Sequence, residues 1–313
     1  SITKPGLHFN TKLYTGNGGT NAITGVGFQP DWVWLKKRNS SAHHQLFDVV
    51  RGVTKRIYSS NNSAESTDAQ TLTAFGTDGF TLGTNSYING NSDTFVSWNW
   101  KGGGAGSSNS DGDITSTVSA NTTAGFSIVK WTADGGNASG VGHGLSTTPK
   151  VIIYKSLGTG AWYVWLNQII DSSQDYMLLN ATDSKSDIAG TYGTPSSTTI
   201  SNFGFTNGAN LIGYCFEEKK GFSKFGRYTG NNNADGTLVY TGFKPALVIV
   251  KRSDGSNDWC IYDNKRDVDN PVEDKLQANQ DSAESNDLSM DFLSNGFKFR
   301  QNGGNFNGSY AYI

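Results

Sequence analysis

An aspartate three positions ahead of an arginine occurs twice in similar surroundings, as Asp48 with Arg51 in LFDVVR and as Asp263 with Arg266 in IYDNKR. A carboxylate and a guanidinium at that spacing, at the end of an apolar run, suit a turn in which each ties down the other and the backbone nearby. The matching positions of a middle stretch read as Asn167 and Ile170. The pair is therefore expected to be a structural tie repeated along the chain rather than catalytic machinery.

The other chemistry-bearing residues are taken in turn. His43 and His44 offer adjacent imidazoles, but a zinc site needs roughly three or four converging N/S ligands, and the chain has 4 histidines in all, the others being His8 and His143. Position 44 aligns with Tyr163 and Trp259, which gives His44 the place of a packed ring, and no metal is assigned to it. Carboxylates cluster at Asp111 and Asp113, at Asp254 and Asp258, and at Asp263, Asp267 and Asp269. None follows a calcium-loop spacing; they read as turn carboxylates, with calcium the one cofactor left open. Glycoside hydrolysis would need two carboxylates flanking a cleft. Glu217 and Glu218 are neighbours and in a strand would point to opposite faces. There is no nucleophile elbow, phosphate loop or dinucleotide fingerprint. No catalytic residue is assigned, and the chain is expected not to be an enzyme.

Of the 8 tryptophans, Trp32 with Trp34 and Trp98 with Trp100 share strand faces and read as core. Trp131, Trp162 and Trp165 are less constrained by the repeat, and for a ligand the positions singled out are Trp131, Trp162 and Trp259. Loops near them are the candidate ligand-binding region, where an aromatic face would stack on a sugar ring.

These residues sit on elements that recur. GFQPDWVWLKKR returns as Gly242-Phe243 with Pro245 and ALVIVKR, and more loosely as Pro149 with KVIIYKS. Each run is β-branched and aromatic, too short for a helix, and starts after a proline that cannot donate to a ladder. Polar connections then lead into HHQLFD, WYVWLN and DWCIYD, giving three antiparallel hairpins. A Ser-Ala-Glu turn appears at Ser63–Glu65 and Ser282–Glu284, followed by the hairpin signals TDGFTLG and SNGFKFR. Closing strands follow: DTFVSWNW, ANLIGYCF and GSYAYI, the last aligning Ile313 with Trp98 and reading as short, either because it is an edge or because the natural chain continues.

Recurrence at this scale predicts an all-β chain of three tandem antiparallel β-sandwiches of roughly 100 residues each. The expected boundaries are 1–101 for the first, with 1–6 as an arm; 102–123 as a Gly/Ser/Asn-rich flexible linker; 124–220 for a divergent second; and 221–313 for the third. The second and third, joined by the short EEKKGFSKF, should be the more rigidly coupled. Composition agrees: 39 glycines, 12% aromatic and 17% charged residues suit sheets and turns. A net charge of −2 gives no attraction for nucleic acid. No run approaches the roughly 20 apolar residues of a membrane span, and SITKPGLHFN lacks the regions of a secretory signal. Cys215 and Cys260, in strands of different copies, are expected to be buried free thiols.

The run HFNTKLYTGNG, the GFQPDWVWLKKR block, LFDVVRGV, the Ser-Ala-Glu turn and the TDGFTLG hairpin resemble a repeated module of virion proteins in tailed, especially marine, bacteriophages. The resemblance covers the first and third copies well and the second loosely. It implies concanavalin A-like jelly rolls and a place on the virion surface, in a tail fibre or a receptor-binding component. The implied partners are other virion proteins, further copies of the chain, with a trimer expected, and host surface glycans. Capsid decoration is the architectural alternative, and a polysaccharide depolymerase the enzymatic one. The resemblance carries no catalytic residues.

Overall fold

The computed structural model describes residues 2–171, 174–188 and 192–313. The chain is all-β, with antiparallel ladders throughout. Its first segment opens with a single 3-10 turn, Pro5–Leu7, and then nine strands: β1 Phe9–Thr15, β2 Asn21–Ile23, β3 Trp32–Lys37, β4 Gln45–Asp48, β5 Lys55–Tyr58, β6 Ser66–Thr67, β7 Leu72–Gly76, β8 Gly79–Leu82 and β9 Thr94–Trp100, with a one-turn helix, α1 Ser86–Asn89, before the last. A large sheet runs in the order β1-β9-β3-β4-β5-β6, and a small one in the order β2-β8-β7. Val33, Leu35 and Phe47 of the large sheet pack on Ile23, Phe80 and Leu82 of the small sheet, the two-layer arrangement of a sandwich.

The second segment contributes β10 Ser107–Asn109, β11 Ser116–Asn121, β12 Phe126–Thr132, β13 Gly140–Gly142, β14 Val151–Ser156, β15 Tyr163–Leu166, β16 Asp175–Leu178, β17 Ser186–Asp187, β18 Thr199–Ser201 and β19 Asn210–Phe216. Its large sheet has the order β10-β11-β12-β19-β14-β15-β16-β17, and β13 pairs with β18 in the second layer. The third segment contributes β20 Tyr228–Thr229, β21 Leu238–Tyr240, β22 Leu247–Val250, β23 Cys260–Asp263, β24 Leu276–Gln277, β25 Met290–Leu293, β26 Gly296–Phe299 and β27 Ala311–Tyr312. β22-β23-β24 and β20-β27 form its first layer, and β21-β26-β25 its second.

The stretch 102–123 is not a flexible linker, since β10 and β11 extend the second segment's sheet from within it. Its glycines serve close backbone approach instead. A Cβ on Gly103 would lie 2.5 Å from the Ala120 carbonyl oxygen, and one on Gly112 2.3 Å from that of Gly140. The Gly104 amide donates to Asp31 of the first segment at 3.1 Å.

Nor are the segments separate beads. The outer face of each large sheet turns inward onto a shared core that includes Trp32, Trp34 and Trp98 from the first segment, Phe126, Trp162 and Tyr214 from the second, and Trp259, Ile261 and Leu276 from the third. Backbone hydrogen bonds at matching places join them cyclically. Glu65 donates to the Leu157 carbonyl (2.8 Å), Lys185 to that of Ser253 (2.9 Å) and Glu284 to that of Arg38 (2.8 Å). A second set repeats the pattern: Gly160 to Asn62 (2.8 Å), Asn257 to Thr182 (2.9 Å) and Ala42 to Asp281 (2.8 Å). The first segment is thus coupled to both others, not loosely tethered to the second.

Register corrects two alignments. Trp34 pairs with Leu46, Ile249 with Ile261, and Ile153 with Val164, so the middle hairpin is one residue shorter than the other two. The counterparts of Asp48 and Arg51 are therefore Leu166 and Ile169, not Asn167 and Ile170, and His44 matches Trp162 and Trp259. Ile313 exchanges hydrogen bonds with Lys251 as Val96 pairs with Lys36, so it stands in the place of Val96, not Trp98.

Candidate functional site

The tryptophans that sequence reasoning singled out are interior. Trp131 is 2% exposed, Trp162 0% and Trp259 4%. Each indole is also hydrogen-bonded: Trp131 Nε1 to Asn202 Oδ1 (3.0 Å), Trp162 Nε1 to the Tyr58 carbonyl (2.6 Å) and Trp259 Nε1 to that of Leu178 (2.8 Å). The last two cross segment boundaries, so these rings stitch the fold and have no face free for a ligand. His44 takes the corresponding place in the first segment. It is buried, accepts from Trp34 Nε1 at 2.7 Å, and stacks on Trp98 with ring centroids 6.1 Å apart. Burial, with Lys36 nearby, holds its imidazole well below its usual range, so it stays neutral.

A different place carries exposed aromatic chemistry. A cleft of about 280 Å³ opens where the first and third segments meet, lined by Ser41, Ala42, His43, Gln45, Tyr58, Tyr87 and Asp281. Gln45 begins β4 and Tyr58 ends β5, where the ladder sets them opposite each other. Tyr87 rides on α1, capped by Asn85, whose side-chain oxygen accepts from the Tyr87 amide at 3.0 Å. The Asp281 carbonyl holds the third segment's loop at the rim by accepting from the Ala42 amide and, at 3.1 Å, from Ser41 Oγ. Inside, the His43 and Tyr58 rings lie 5.2 Å apart, and His43 Nδ1 is 2.9 Å from Ser60 Oγ. Tyr87 is 57% exposed, whereas Gln45 is 1% exposed and its Oε1 has no hydrogen-bond partner. Burial lifts the Tyr58 hydroxyl above its usual range, so it remains a neutral donor.

One exposed ring, Tyr87, and two half-buried ones, His43 and Tyr58, line a cleft with the buried Gln45, a lining suited to a ligand with both apolar surface and hydroxyl groups. Asp281 is the one carboxylate of the lining, and a two-carboxylate hydrolysis would need another. Among the described residues the other boundaries lack this set, with Ala161 and Asp258 matching His43, Tyr163 and Cys260 matching Gln45, and Leu178 and Gln277 matching Tyr58. Sequence reasoning treated positions 43 and 44 as one question and passed over Tyr58 and Tyr87. The signal present was departure from the repeat at several positions that the hairpin brings together.

The sequence profile described as "Domain of unknown function (DUF7483)" matches residues 4–313. The chain belongs to this family. No curated protein and no solved structure matches it.

In this DUF7483 chain the Asp–Arg ties have one geometry in both places. Asp48 Oδ1 accepts from the Val50 and Arg51 amides (3.1 and 2.8 Å), and Oδ2 accepts from Arg51 Nε at 2.5 Å. Asp263 does the same with the Lys265 and Arg266 amides (both 2.9 Å) and with Arg266 Nε at 2.6 Å. The glutamate of each Ser-Ala-Glu turn completes the network, with Glu65 3.1 Å from Arg51 Nη1 and Glu284 2.9 Å from Arg266 Nη1. A neighbouring segment then caps each acid, Tyr214 Oη donating to Asp48 at 2.9 Å and Trp98 Nε1 to Asp263 at 3.0 Å. Burial pushes the Asp263 carboxyl up, but the Arg266 charge and hydrogen bonds outweigh it and hold the group below the usual carboxylate range. These residues lock turns and segment boundaries, with no face open to substrate.

Several of the carboxylates considered for calcium make similar contacts. Asp113 accepts from the Gly140 amide, Asp254 pairs with Arg252, Asp258 accepts from Gln277, Asn279 and Gln280, and Asp267 accepts from the Glu273 and Asp274 amides. Among the described residues, the metal-capable group is Asp171, Asp175 and Asp187, absent from the sequence-based candidates. Lys185 Nζ stands beside it, 2.5 Å from Asp171 and 3.1 Å from Asp175, supplying a cation from the chain itself. Cys215 and Cys260 are buried and unbridged, and burial pushes both thiols up to about 12.

Proposed function

We propose that this chain is a non-enzymatic surface protein of a bacteriophage particle, built from three jelly-roll copies, that touches host glycans through the cleft between its first and third segments. The observation that carries the reading is the cleft itself, lined by the exposed Tyr87, the half-buried Tyr58 and His43, and the buried Gln45, whose amide oxygen has no hydrogen-bond partner. Aromatic faces for C–H surfaces and polar side chains for hydroxyls are what a pyranose ring requires. The resemblance of HFNTKLYTGNG and GFQPDWVWLKKR to virion modules supplies the particle.

The test is a glycan array followed by saturation-transfer NMR on the hits, with Tyr87→Ala and Gln45→Leu. Each variant is expected to weaken binding by about tenfold or more, the loss that accompanies roughly 1.4 kcal/mol, while thermal unfolding stays close to that of the parent. Glycan binding unaffected by both variants would move the site elsewhere, and absence of any hit would remove the adhesive reading.

A purely architectural role is the second reading. Exposed Leu238 and Tyr240 on β21 favour it, because apolar side chains standing on a strand suit contact with another protein.

A further inference from the structure

The strands β2, β13 and β21 hold the same place in the second layers of their segments, laddered to β8, β18 and β26 in turn. Each sends one apolar residue inward: Ile23, Val141 and Val239. The residues on either side of it point the other way and differ between segments. They are Ala22 and Thr24 in the first, Gly140 and Gly142 in the second, and Leu238 and Tyr240 in the third. Leu238 is 52% exposed and Tyr240 68%, so the third segment alone presents large apolar side chains there.

The backbone of β21 is open on the same side of the strand in the sheet plane. Thr237 accepts from the Phe299 amide at 3.3 Å, and the Thr241 amide donates to Asn295 at 3.0 Å. Bonds alternate along an antiparallel ladder, so the N–H and C=O groups of Leu238 and Tyr240 point away from β26. In the second segment Ser139 accepts from Asn202 (2.8 Å) and His143 donates to Thr198 (3.1 Å), so Gly140 and Gly142 point away from β18. There the chain closes its own edge. The Gly140 amide donates to Asp113 at 2.8 Å, the Gly140 carbonyl accepts from the Ile114 amide at 3.0 Å, and the Gly142 carbonyl accepts from Ser116 Oγ at 2.6 Å. The connection into the third segment instead turns back on itself, Ser223 donating to the Lys219 carbonyl at 2.9 Å. Among the described residues, nothing bonds to the outward backbone groups of Leu238 and Tyr240.

We propose that this edge is a self-association site, to which β21 of a second copy adds antiparallel about a two-fold axis. The strand complements itself. With Val239 opposite Val239 of the second copy, Leu238 of each chain faces Tyr240 of the other. Those are the residues whose backbone groups are free to bond, and their apolar side chains then meet across the strands. Edge strands that avoid such pairing carry charges or proline, and Gly236–Gly242 has neither. Charge at the strand ends favours the antiparallel sense. Asp235, paired with Lys298, precedes the strand, and the exposed Lys244 follows it. Parallel addition would set Lys244 against Lys244, whereas antiparallel addition sets it at the end that carries Asp235. The proposal rests on the architectural reading of β21 and not on the glycan cleft, whose lining includes none of these residues.

The experiment is sedimentation velocity of the full chain over a concentration series reaching about 1 mM. It includes two double variants, Leu238→Lys with Tyr240→Lys and Leu238→Glu with Tyr240→Glu. The parent is expected to dimerise, and each variant by itself to do so about tenfold more weakly or less, because like charges then face each other. An equimolar mixture of the two variants is expected to regain association, since each lysine then meets a glutamate. Both side chains are exposed, so the variants should unfold at the parent's temperature. Hydrogen exchange at the Leu238 and Tyr240 amides should slow as the parent's concentration rises. A parent that stays monomeric throughout would overturn the proposal and leave the edge to a different protein. Association that the variants leave unchanged, or a mixture no stronger than its components, would overturn it as well.

Discussion

At Leu166 and Ile169 the second segment carries an apolar pair where the first has Asp48 and Arg51. All four side chains are buried in equivalent turns, so the chain itself holds both solutions to one packing problem. A buried ion pair is often replaceable by apolar residues of similar volume, whereas removing one partner strands a charge. Arg51→Ile alone is therefore expected to destabilise the fold by about 3–5 kcal/mol. Asp48→Leu, Arg51→Ile and Tyr214→Phe together, which also remove the hydroxyl that caps the acid, are expected to recover most of that loss. Urea denaturation of both proteins measures it, and a triple variant as weak as the single one would mean that the tie organises more than its own turn. The tie was legible in the sequence because two Asp–Arg pairs recur in matching surroundings. Its apolar substitute was not, because a hairpin shortened by one residue displaces the alignment and exchanges which residues face the core.

At the level of elements, the segment 102–123 shows how composition misleads. Glycine and serine are the residues of a free linker and also those of strands crossing at close range. Here the backbones of Gly103 and Ala120 approach too closely for any side chain. Gly103→Val is accordingly expected to lower the melting temperature by several degrees, an effect on the order of 1–3 kcal/mol for overpacking, and to open 102–123 to a nonspecific protease. An unchanged melting curve would show that this approach can relax without loss. The hairpins themselves were readable, since each announces itself by a proline, a β-branched run and a polar turn. What no single hairpin announces is that both faces of its sheet are covered. That second covering turned Trp162 and Trp259 from candidate ligand platforms into interior struts, and it depends on where the other segments come to rest, whereas Trp131 is buried inside the second segment's own sandwich.

For the whole molecule, the shared core places three equivalent lysines, Lys36, Lys155 and Lys251, almost out of solvent. Each donates to backbone carbonyls: Lys36 to Lys37 (2.6 Å), Lys155 to Gly160 (2.5 Å), and Lys251 to Thr182 of the adjoining segment (3.1 Å). Burial lowers all three from 10.5 to about 8. Between those values the unfolded chain binds more protons than the folded one, so stability rises with pH across that window. Burial also lifts Tyr14, Tyr154, Tyr214, Tyr228 and Tyr262 well above 10.0. Above that pH the unfolded chain releases protons that the fold retains, and stability falls. Urea midpoints measured from neutral to strongly alkaline solution are expected to peak at about pH 9–10, with a smaller rise in Lys251→Met. A steady decline from neutrality would contradict the lysine argument. The departure of one boundary from the other two has a further consequence. Because His43, Gln45, Tyr58 and Tyr87 come together once among the described residues, the valence of the proposed adhesive surface would equal the number of chains displayed, not the number of segments in each.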